Sequence, residues 1–131
     1  MTARILVIED NPANLALVEY LLNASGYITV AATDGATGVR VARETRPDLV
    51  ICDLQMPGLS GYEVLEELRA DPTLARTPVI AVTAFSMQDD QIKVLSAGFN
   101  GYLSKPIEPE RFVAQVEEYL PLDQRRGGGV A

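Results

Sequence analysis

Short apolar runs in this sequence end next to side chains that could do chemistry. These side chains are Glu9, Asp10, Asp53, Thr83 and Lys105. Carboxylates bind hard divalent cations such as Mg2+, and an aspartate can also attack phosphorus as a nucleophile. A hydroxyl and an ammonium group can stabilise the negative charge of a transferring phosphoryl group. The residue types therefore predict Mg2+-assisted phosphoryl chemistry, provided that the fold gathers them at one place.

Strand-length apolar runs alternate with segments of helical periodicity five times along the chain. The apolar runs lie at about 5–8, 28–31, 49–52, 79–82 and 102–103. The helical segments lie at about 12–25, 35–46, 61–70, 87–97 and 109–120. We expect Asn11 to cap the first of them, and Ser60 with Glu63 to form a capping box at the start of the third. Runs that are apolar throughout, rather than alternating, are typical of strands buried on both faces. The pattern predicts an α/β fold, a doubly wound five-stranded parallel sheet with helices on both faces.

The predicted sheet determines where the polar strand ends meet. In open parallel sheets, ligands bind beyond the carboxyl ends of the strands, at the point where the strand order reverses. We adopt the order 2-1-3-4-5, known from other doubly wound five-stranded sheets, rather than derive it. Strands one and three are then neighbours at the reversal point. This order predicts that Asp10 lies beside Asp53, with Thr83 and Lys105 on the other side.

Three acidic side chains at one sheet edge would repel each other, and a divalent cation explains their convergence. Mg2+ takes oxygen ligands, commonly one or two carboxylates together with water and a substrate phosphate. We expect Asp10 and Asp53 to bind it directly and Glu9 to act through water. The backbone carbonyl of Gln55 could complete the set supplied by the protein.

Asp53 is the natural nucleophile of such a site. The Lys105 ammonium and the Thr83 hydroxyl would each bind one phosphoryl oxygen, and Mg2+ would bind a third. Each of these residues also has an ordinary structural role, since Asp often caps a helix and Lys is usually solvated. Their joint position at the ends of the correct strands favours the chemical interpretation.

The composition limits the other possibilities. The chain has 131 residues, and its net charge of −7 argues against nucleic-acid binding. It has no histidine, which excludes imidazole-based metal sites. No apolar run approaches the roughly 20 residues of a membrane helix, we expect no signal peptide, and Cys52 has no cysteine to pair with. We therefore predict a cytoplasmic protein with one domain at 1–122 and a flexible tail at 123–131.

The same residues form a pattern that resembles a known family. The pattern consists of Glu9-Asp10, Asp53-Leu-Gln-Met-Pro-Gly-Leu-Ser-Gly61, Thr83-Ala84 and Lys105-Pro106. It resembles the receiver domain of two-component response regulators, which has a CheY-like, flavodoxin-like fold, and it covers about residues 4–120. Gln55 together with Thr83-Ala84-Phe85 is most similar to the single-domain cell-division regulators of the DivK type.

The resemblance implies a function and a set of partners. Asp53 would be phosphorylated by a sensor histidine kinase or a phosphotransfer protein, and the phosphoryl group would contact Thr83, Ala84 and Lys105. The chain would act as a signalling module rather than as an enzyme, through a downstream protein target. It would be a monomer or a phosphorylation-dependent dimer, without nucleic-acid or membrane partners.

The resemblance also implies how the signal would leave the site. Thr83 and Tyr102 match the switch pair of the family, which moves together on phosphorylation. The Lys105-Pro106 bond resembles the cis peptide of the family, a geometry nearly confined to proline. We further expect Gln55 and Phe85 to border the path of the water that hydrolyses the acyl phosphate.

Three alternative functions use similar features. Enzymes of the haloacid-dehalogenase type require a second Asp two residues after the nucleophile, where this chain has Gln55. Nucleotide binding would need a Gly-rich loop after the first strand, and none follows it. A receiver-fold scaffold that is never phosphorylated remains an alternative, as does a receiver that is part of a larger regulator with an output domain.

Overall fold

The five apolar runs form one parallel sheet in the computed structural model, which describes residues 2–84 and 88–125. The strands are β1 (Arg4–Ile8), β2 (Ile28–Ala32), β3 (Leu49–Asp53), β4 (Val79–Thr83) and β5 (Gly101–Ser104). The helices are α1 (Pro12–Ala24), α2 (Gly35–Thr45), α3 (Gly61–Ala70), α4 (Gln88–Ala97) and α5 (Pro109–Glu117). The strand order is β2-β1-β3-β4-β5, so the adopted order is confirmed.

Two hydrophobic cores lie on the two faces of the sheet, because successive side chains of a strand point to opposite faces. Ile5 and Val7 of β1 belong to the core that α1 and α5 cover. Leu6 and Ile8 belong to the opposite core, which α2, α3 and α4 cover. The predicted double covering of the sheet is therefore confirmed.

Strand β2 departs from the prediction of burial on both faces. Every residue of β3 and β4 is buried, whereas Ile28 at the start of β2 is exposed and only Ala32 at its end is buried. β2 forms one edge of the sheet, where it has a single neighbouring strand. Its apolar sequence did not distinguish it from a central strand.

The helix starts follow the predicted capping residues. Asn11 caps α1, its side-chain oxygen accepting a hydrogen bond from the Asn14 N–H at 3.0 Å. Ser60 and Glu63 form the predicted capping box of α3, with hydrogen bonds of 3.1 and 3.3 Å. A side chain at Gly61 would place its Cβ 2.7 Å from the Asp53 carbonyl oxygen, so glycine lets α3 begin directly against the end of β3.

The C-terminal elements differ in detail from the predicted ones. Leu120, predicted on the last helix, is buried but lies beyond the end of α5 at Glu117. Within the predicted tail, the Gln124 side chain donates a hydrogen bond to Asp48 at 3.1 Å. Residues 126–131 lie outside the described residues. In the parts of the chain that the structure describes, no helix is long and apolar enough to cross a membrane.

Candidate functional site

The strand register places the site residues next to one another. Asp53 is the last residue of β3 and lies opposite Val82 of β4. Ile8 of β1 lies opposite Cys52, so the chain that continues from β1 into Glu9 runs beside Asp53. The ends of β1, β3 and β4 therefore form one continuous edge.

Three carboxylates gather at this edge. Glu9, Asp10 and Asp53 each offer an oxygen, and these oxygens all lie within 4.8 Å of one another. Glu9 and Asp53 are 5% and 3% exposed, whereas Asp10 is exposed. A set of oxygen donors that is open to solvent on one side fits a hard cation that keeps part of its water shell, as Mg2+ does. The acidic cluster is thus consistent with a magnesium site.

Lys105 pairs with two of the three acids. Its ammonium nitrogen lies 2.9 Å from Asp53 Oδ2 and 3.5 Å from Glu9 Oε1. Burial lowers the pKa of Lys105, but the hydrogen bond to Asp53 and the charges of Asp53 and Glu9 outweigh it, so the pKa is raised. Lys105 is therefore a fixed positive charge at neutral pH. The Lys105–Pro106 peptide bond, predicted to be cis, is cis in the structure.

The other Asp53 oxygen is held by the backbone. The Gln55 N–H donates a hydrogen bond to Asp53 Oδ1 at 3.0 Å, while Lys105 holds Oδ2. The carboxylate is therefore oriented from two sides before any ligand arrives. The Gln55 carbonyl as a metal ligand stays a prediction.

The environment of the acidic cluster disfavours the ionised form of Glu9. Burial raises the pKa of Glu9 from its ordinary value of 4.5 to about 7, and the neighbouring Asp53 acts in the same direction. The Asn11 N–H, which donates to Glu9 Oε2 at 3.3 Å, and the charge of Lys105 oppose this rise. The folded chain thus resists the full ionisation of its own acidic cluster.

The raised pKa of Glu9 predicts that the stability of the metal-free protein, measured in EDTA, depends on pH. Because the folded-state pKa of Glu9 lies above 4.5, the contribution of Glu9 to the free energy of unfolding is complete below about pH 4.5. This contribution is lost as the pH rises through about 7. We expect the free energy of unfolding to lose about 1–3 kcal/mol over this interval through Glu9. Glu9→Gln should remove this part of the slope, measured by urea unfolding followed by circular dichroism. Glu66→Gln, at an exposed position of α3, is the control; an unchanged slope in Glu9→Gln would contradict the assignment.

Thr83 and Tyr102 lie on the same face of the sheet. Thr83 ends β4 and is 2% exposed, and its backbone oxygen accepts a hydrogen bond from the Lys105 N–H at 2.8 Å. Tyr102 of β5 lies opposite Ala81, two residues before Thr83, and is half-buried. This diagonal arrangement makes coupled movement of the pair sterically reasonable, but the movement itself stays a prediction. Ala84 follows Thr83 and is exposed; Phe85 lies outside the described residues.

Cys52 belongs to the hydrophobic core. It is completely buried in the core beneath α3, on the opposite side of β3 from the Asp53 side chain. Burial raises the pKa of its thiol strongly, and the charges of Asp53 and Glu9 add to this effect. A thiol that resists ionisation is unreactive, so Cys52 serves packing.

Sequence reasoning missed a pocket beside the site. Gln55 and Thr83 form part of its wall, and Asp90 and Lys93 of α4 form another part. The only sequence signal was the spacing of Asp90 and Lys93, which three positions apart occupy one side of a helix. That spacing is too common to indicate a pocket by itself.

The sequence also matches a known protein family and its members. The response regulator receiver domain family matches residues 5–117. The polar-differentiation response regulator DivK of Brucella ovis is 42% identical over 120 residues, which are 92% of this chain and 98% of that protein. The chain is thus similar to a DivK-type regulator along nearly its whole length.

Two solved structures share the fold. Chemotaxis protein CheY4 of Vibrio cholerae has a TM-score of 0.86 at 26% identity, over 92% of this chain and all (100%) of that one. The receiver domain of a sensor histidine kinase from Pseudomonas aeruginosa, solved with magnesium coordinated in its active site cleft, has a TM-score of 0.82. It is 35% identical and covers 91% of this chain and 98% of that domain. By fold, by the acidic edge and by sequence, this chain belongs to the response regulator receiver family.

Proposed function

We propose that this protein is a phosphoacceptor response regulator that receives its phosphoryl group on Asp53. The observation that carries the proposal is the arrangement of Asp53 itself. It is 3% exposed, its carboxylate is oriented by Lys105 at 2.9 Å, and it shares a 4.8 Å cluster with two further acids. The positive charge of Lys105 beside this buried carboxylate favours the approach of a negatively charged phosphoryl group.

The donor would be a phosphohistidine of a sensor histidine kinase or of a phosphotransfer protein. An Asp53 oxygen attacks the phosphorus, and the phosphorus–nitrogen bond breaks with its electron pair returning to the imidazole. The product is an acyl phosphate on Asp53. Receiver domains are in general signalling modules rather than enzymes, and the single covalent step proposed here is their own modification.

Residues around Asp53 would bind the transferred group. Lys105 moves its ammonium from the carboxylate to one phosphoryl oxygen, a short shift because both lie at the same edge. The Thr83 hydroxyl donates to a second oxygen, and the Ala84 N–H is a further candidate donor. These contacts hold the charge that develops during transfer.

The acidic cluster would hold Mg2+ during this reaction. Asp10 and Asp53 would be direct ligands, Gln55 would contribute its backbone carbonyl, and Glu9 would act through water. When bound, the ion supplies positive charge that lets a phosphoryl anion approach Asp53. The carboxylate oxygens within 4.8 Å of one another support this assignment.

The surface of α1 suits a phosphodonor protein. The helix has one charged residue, Glu19, among its 13 residues, and exposes Ala13, Ala16 and Tyr20, the last at 70%. A surface helix with so few charges is typical of a protein-binding face. Because α1 begins two residues after Asp10, a partner on this face would reach the phosphoacceptor edge. With a cytoplasmic kinase as donor, the protein would act in the cytoplasm.

The downstream target would bind a different face. We assign it to α4, β5 and α5, because Thr83 and Tyr102 lie beneath this surface. On α4, Ile92 and Leu95 are 55% and 48% exposed, an apolar pair three positions apart. Protein partners commonly bury such pairs.

Chemical trapping of the phosphoryl group tests the proposal. Wild-type protein is incubated with acetyl phosphate and Mg2+, reduced with borohydride and mapped by mass spectrometry. We expect one modified residue, Asp53, and no modification in EDTA. Asp53→Asn should give no trapped product, and stoichiometric labelling of that variant would refute the assignment.

A further inference from the structure

A pocket of about 160 Å3 opens between α3, α4 and the ends of β3 and β4. Leu54 and Val94, 6% and 1% exposed, give it an apolar floor. Tyr62 of α3 forms one wall, and Gln55 and Thr83 form the wall nearest the phosphoacceptor edge. The volume is below the roughly 300 Å3 at which drug-sized ligands begin to fit, so it suits a smaller molecule.

Helix α4 presents two complementary polar groups to this pocket. Asp90 and Lys93 are three positions apart, on one side of the helix, and both line the pocket. The Lys93 ammonium lies 5.3 Å from the centre of the Tyr62 ring. Burial, and after it the charge of Asp90, raises the pKa of Tyr62, which places the Asp90 charge near the same wall. Among the described residues, Asp90 and Lys93 make no ion pair, with each other or with a third residue.

We propose that this pocket binds a small flat ring that carries a hydrogen-bond donor and an acceptor on neighbouring atoms, as in an aryl carboxamide or the edge of a nucleobase. The ring lies on the floor of Leu54 and Val94. Its donor faces the Asp90 carboxylate, and its acceptor receives a hydrogen bond from Lys93. Asp90 is half-buried and Lys93 is exposed. A ligand with only one of these groups therefore forgoes one of the two hydrogen bonds to a charged side chain, which costs affinity.

The pocket is coupled to phosphorylation through Thr83. This step rests on the proposed function, in which the Thr83 hydroxyl contacts the phosphoryl group on Asp53. Thr83 cannot turn toward that group without changing the pocket wall, so the phosphorylated protein binds the ring more weakly. By linkage, an occupied pocket opposes the movement of Thr83 by the same factor.

Titration of the unphosphorylated 131-residue protein with benzamide tests binding by itself. We expect saturable amide shifts in two-dimensional NMR around Leu54, Tyr62 and Val94, with a Kd on the order of 1–10 mM for a ligand of this size. Benzoate lacks the donor and benzylamine lacks the acceptor, and each should bind about three- to tenfold more weakly. Absence of saturable shifts, or equal affinity for the three probes, overturns the proposal.

Two variants locate the ligand without touching the phosphoacceptor residues. Asp90→Ala and Lys93→Ala should each weaken benzamide binding about three- to tenfold, whereas Glu66→Ala, at an exposed position of α3, should leave it unchanged. Unchanged binding by both pocket variants overturns the assignment.

The coupling has a separate experiment. Benzamide affinity is measured again after acetyl phosphate and Mg2+ have phosphorylated the protein, and it should fall by about threefold or more, a common size of coupling between sites. An equal Kd in fully phosphorylated protein overturns the coupling. If Asp53 accepts no phosphoryl group, the proposed function and the coupling fail together, while the binding of benzamide to the unmodified protein stands or falls by its own titration.

Discussion

Asp10→Asn is expected to weaken Mg2+ binding by about 10- to 100-fold and to slow phosphorylation of Asp53 from acetyl phosphate correspondingly. Asp10 is the exposed member of the acidic cluster. Among the described residues, Lys105 pairs with Glu9 and Asp53 but not with Asp10, so the charge of Asp10 is not offset by this ammonium. The substitution keeps the shape and one oxygen of the side chain but removes its charge. Mg2+ affinity is measured by NMR titration, and phosphorylation by trapping at a fixed Mg2+ concentration.

Glu9→Gln is the matched control for this prediction. Glu9 is buried and already interacts with Lys105 at 3.5 Å and with the Asn11 N–H at 3.3 Å, so it has less freedom to serve the metal directly. We expect a clearly smaller loss of Mg2+ affinity than in Asp10→Asn. Equal Mg2+ affinities of wild type and Asp10→Asn would remove Asp10 from the set of direct ligands.

Thr83→Ala is expected to leave Asp53 able to accept a phosphoryl group while abolishing most of the response of the α4–β5–α5 surface. The hydroxyl is buried at the end of β4, diagonal to Tyr102 on the same sheet face. If the phosphoryl oxygen draws this hydroxyl inward, the Tyr102 ring can enter the space that it leaves. A phosphoryl group shifts such an equilibrium only through its different interaction with the two states, and the hydroxyl supplies that difference.

The response is measured as phosphorylation-dependent amide shifts of α4, β5 and α5, with the extent of phosphorylation determined in the same sample. Thr29→Ala, which removes a hydroxyl from the opposite edge of the sheet, controls for loss of a strand hydroxyl as such. A full wild-type response in phosphorylated Thr83→Ala would show that the signal does not pass through this residue.

Much of this architecture could be predicted from the sequence because its determinants are local. Asn11 and the Ser60–Glu63 pair specify helix starts through hydrogen bonds within one turn, and the structure confirms both. The apolar runs specify strands of the right length, and the polar residues Asp53 and Thr83 directly follow two of these runs in the sequence. The position of Asp53 and Thr83 at strand ends could therefore be predicted from the sequence.

The strand order was adopted by analogy, because sequence pattern does not specify which strands become neighbours. The exposure of β2 follows from its position at the edge of the sheet. The sequence around Ile28 does not predict that position. Likewise, the pocket beside Thr83 depends on how α4 settles against the ends of β3 and β4, and thus on packing between distant segments.

Sequence alone determined the kinds of groups available at the site, since strand ends and residue types are local facts. Tertiary structure alone decided their electrostatic state. Lys105 lies 52 positions from Asp53 in the chain yet 2.9 Å from it in space, and it also approaches Glu9. Burial of Glu9 against Asp53 raises the pKa of Glu9 to about 7. Such shifts arise from desolvation and from charges on other elements, which exist only once the sheet has brought distant strand ends together.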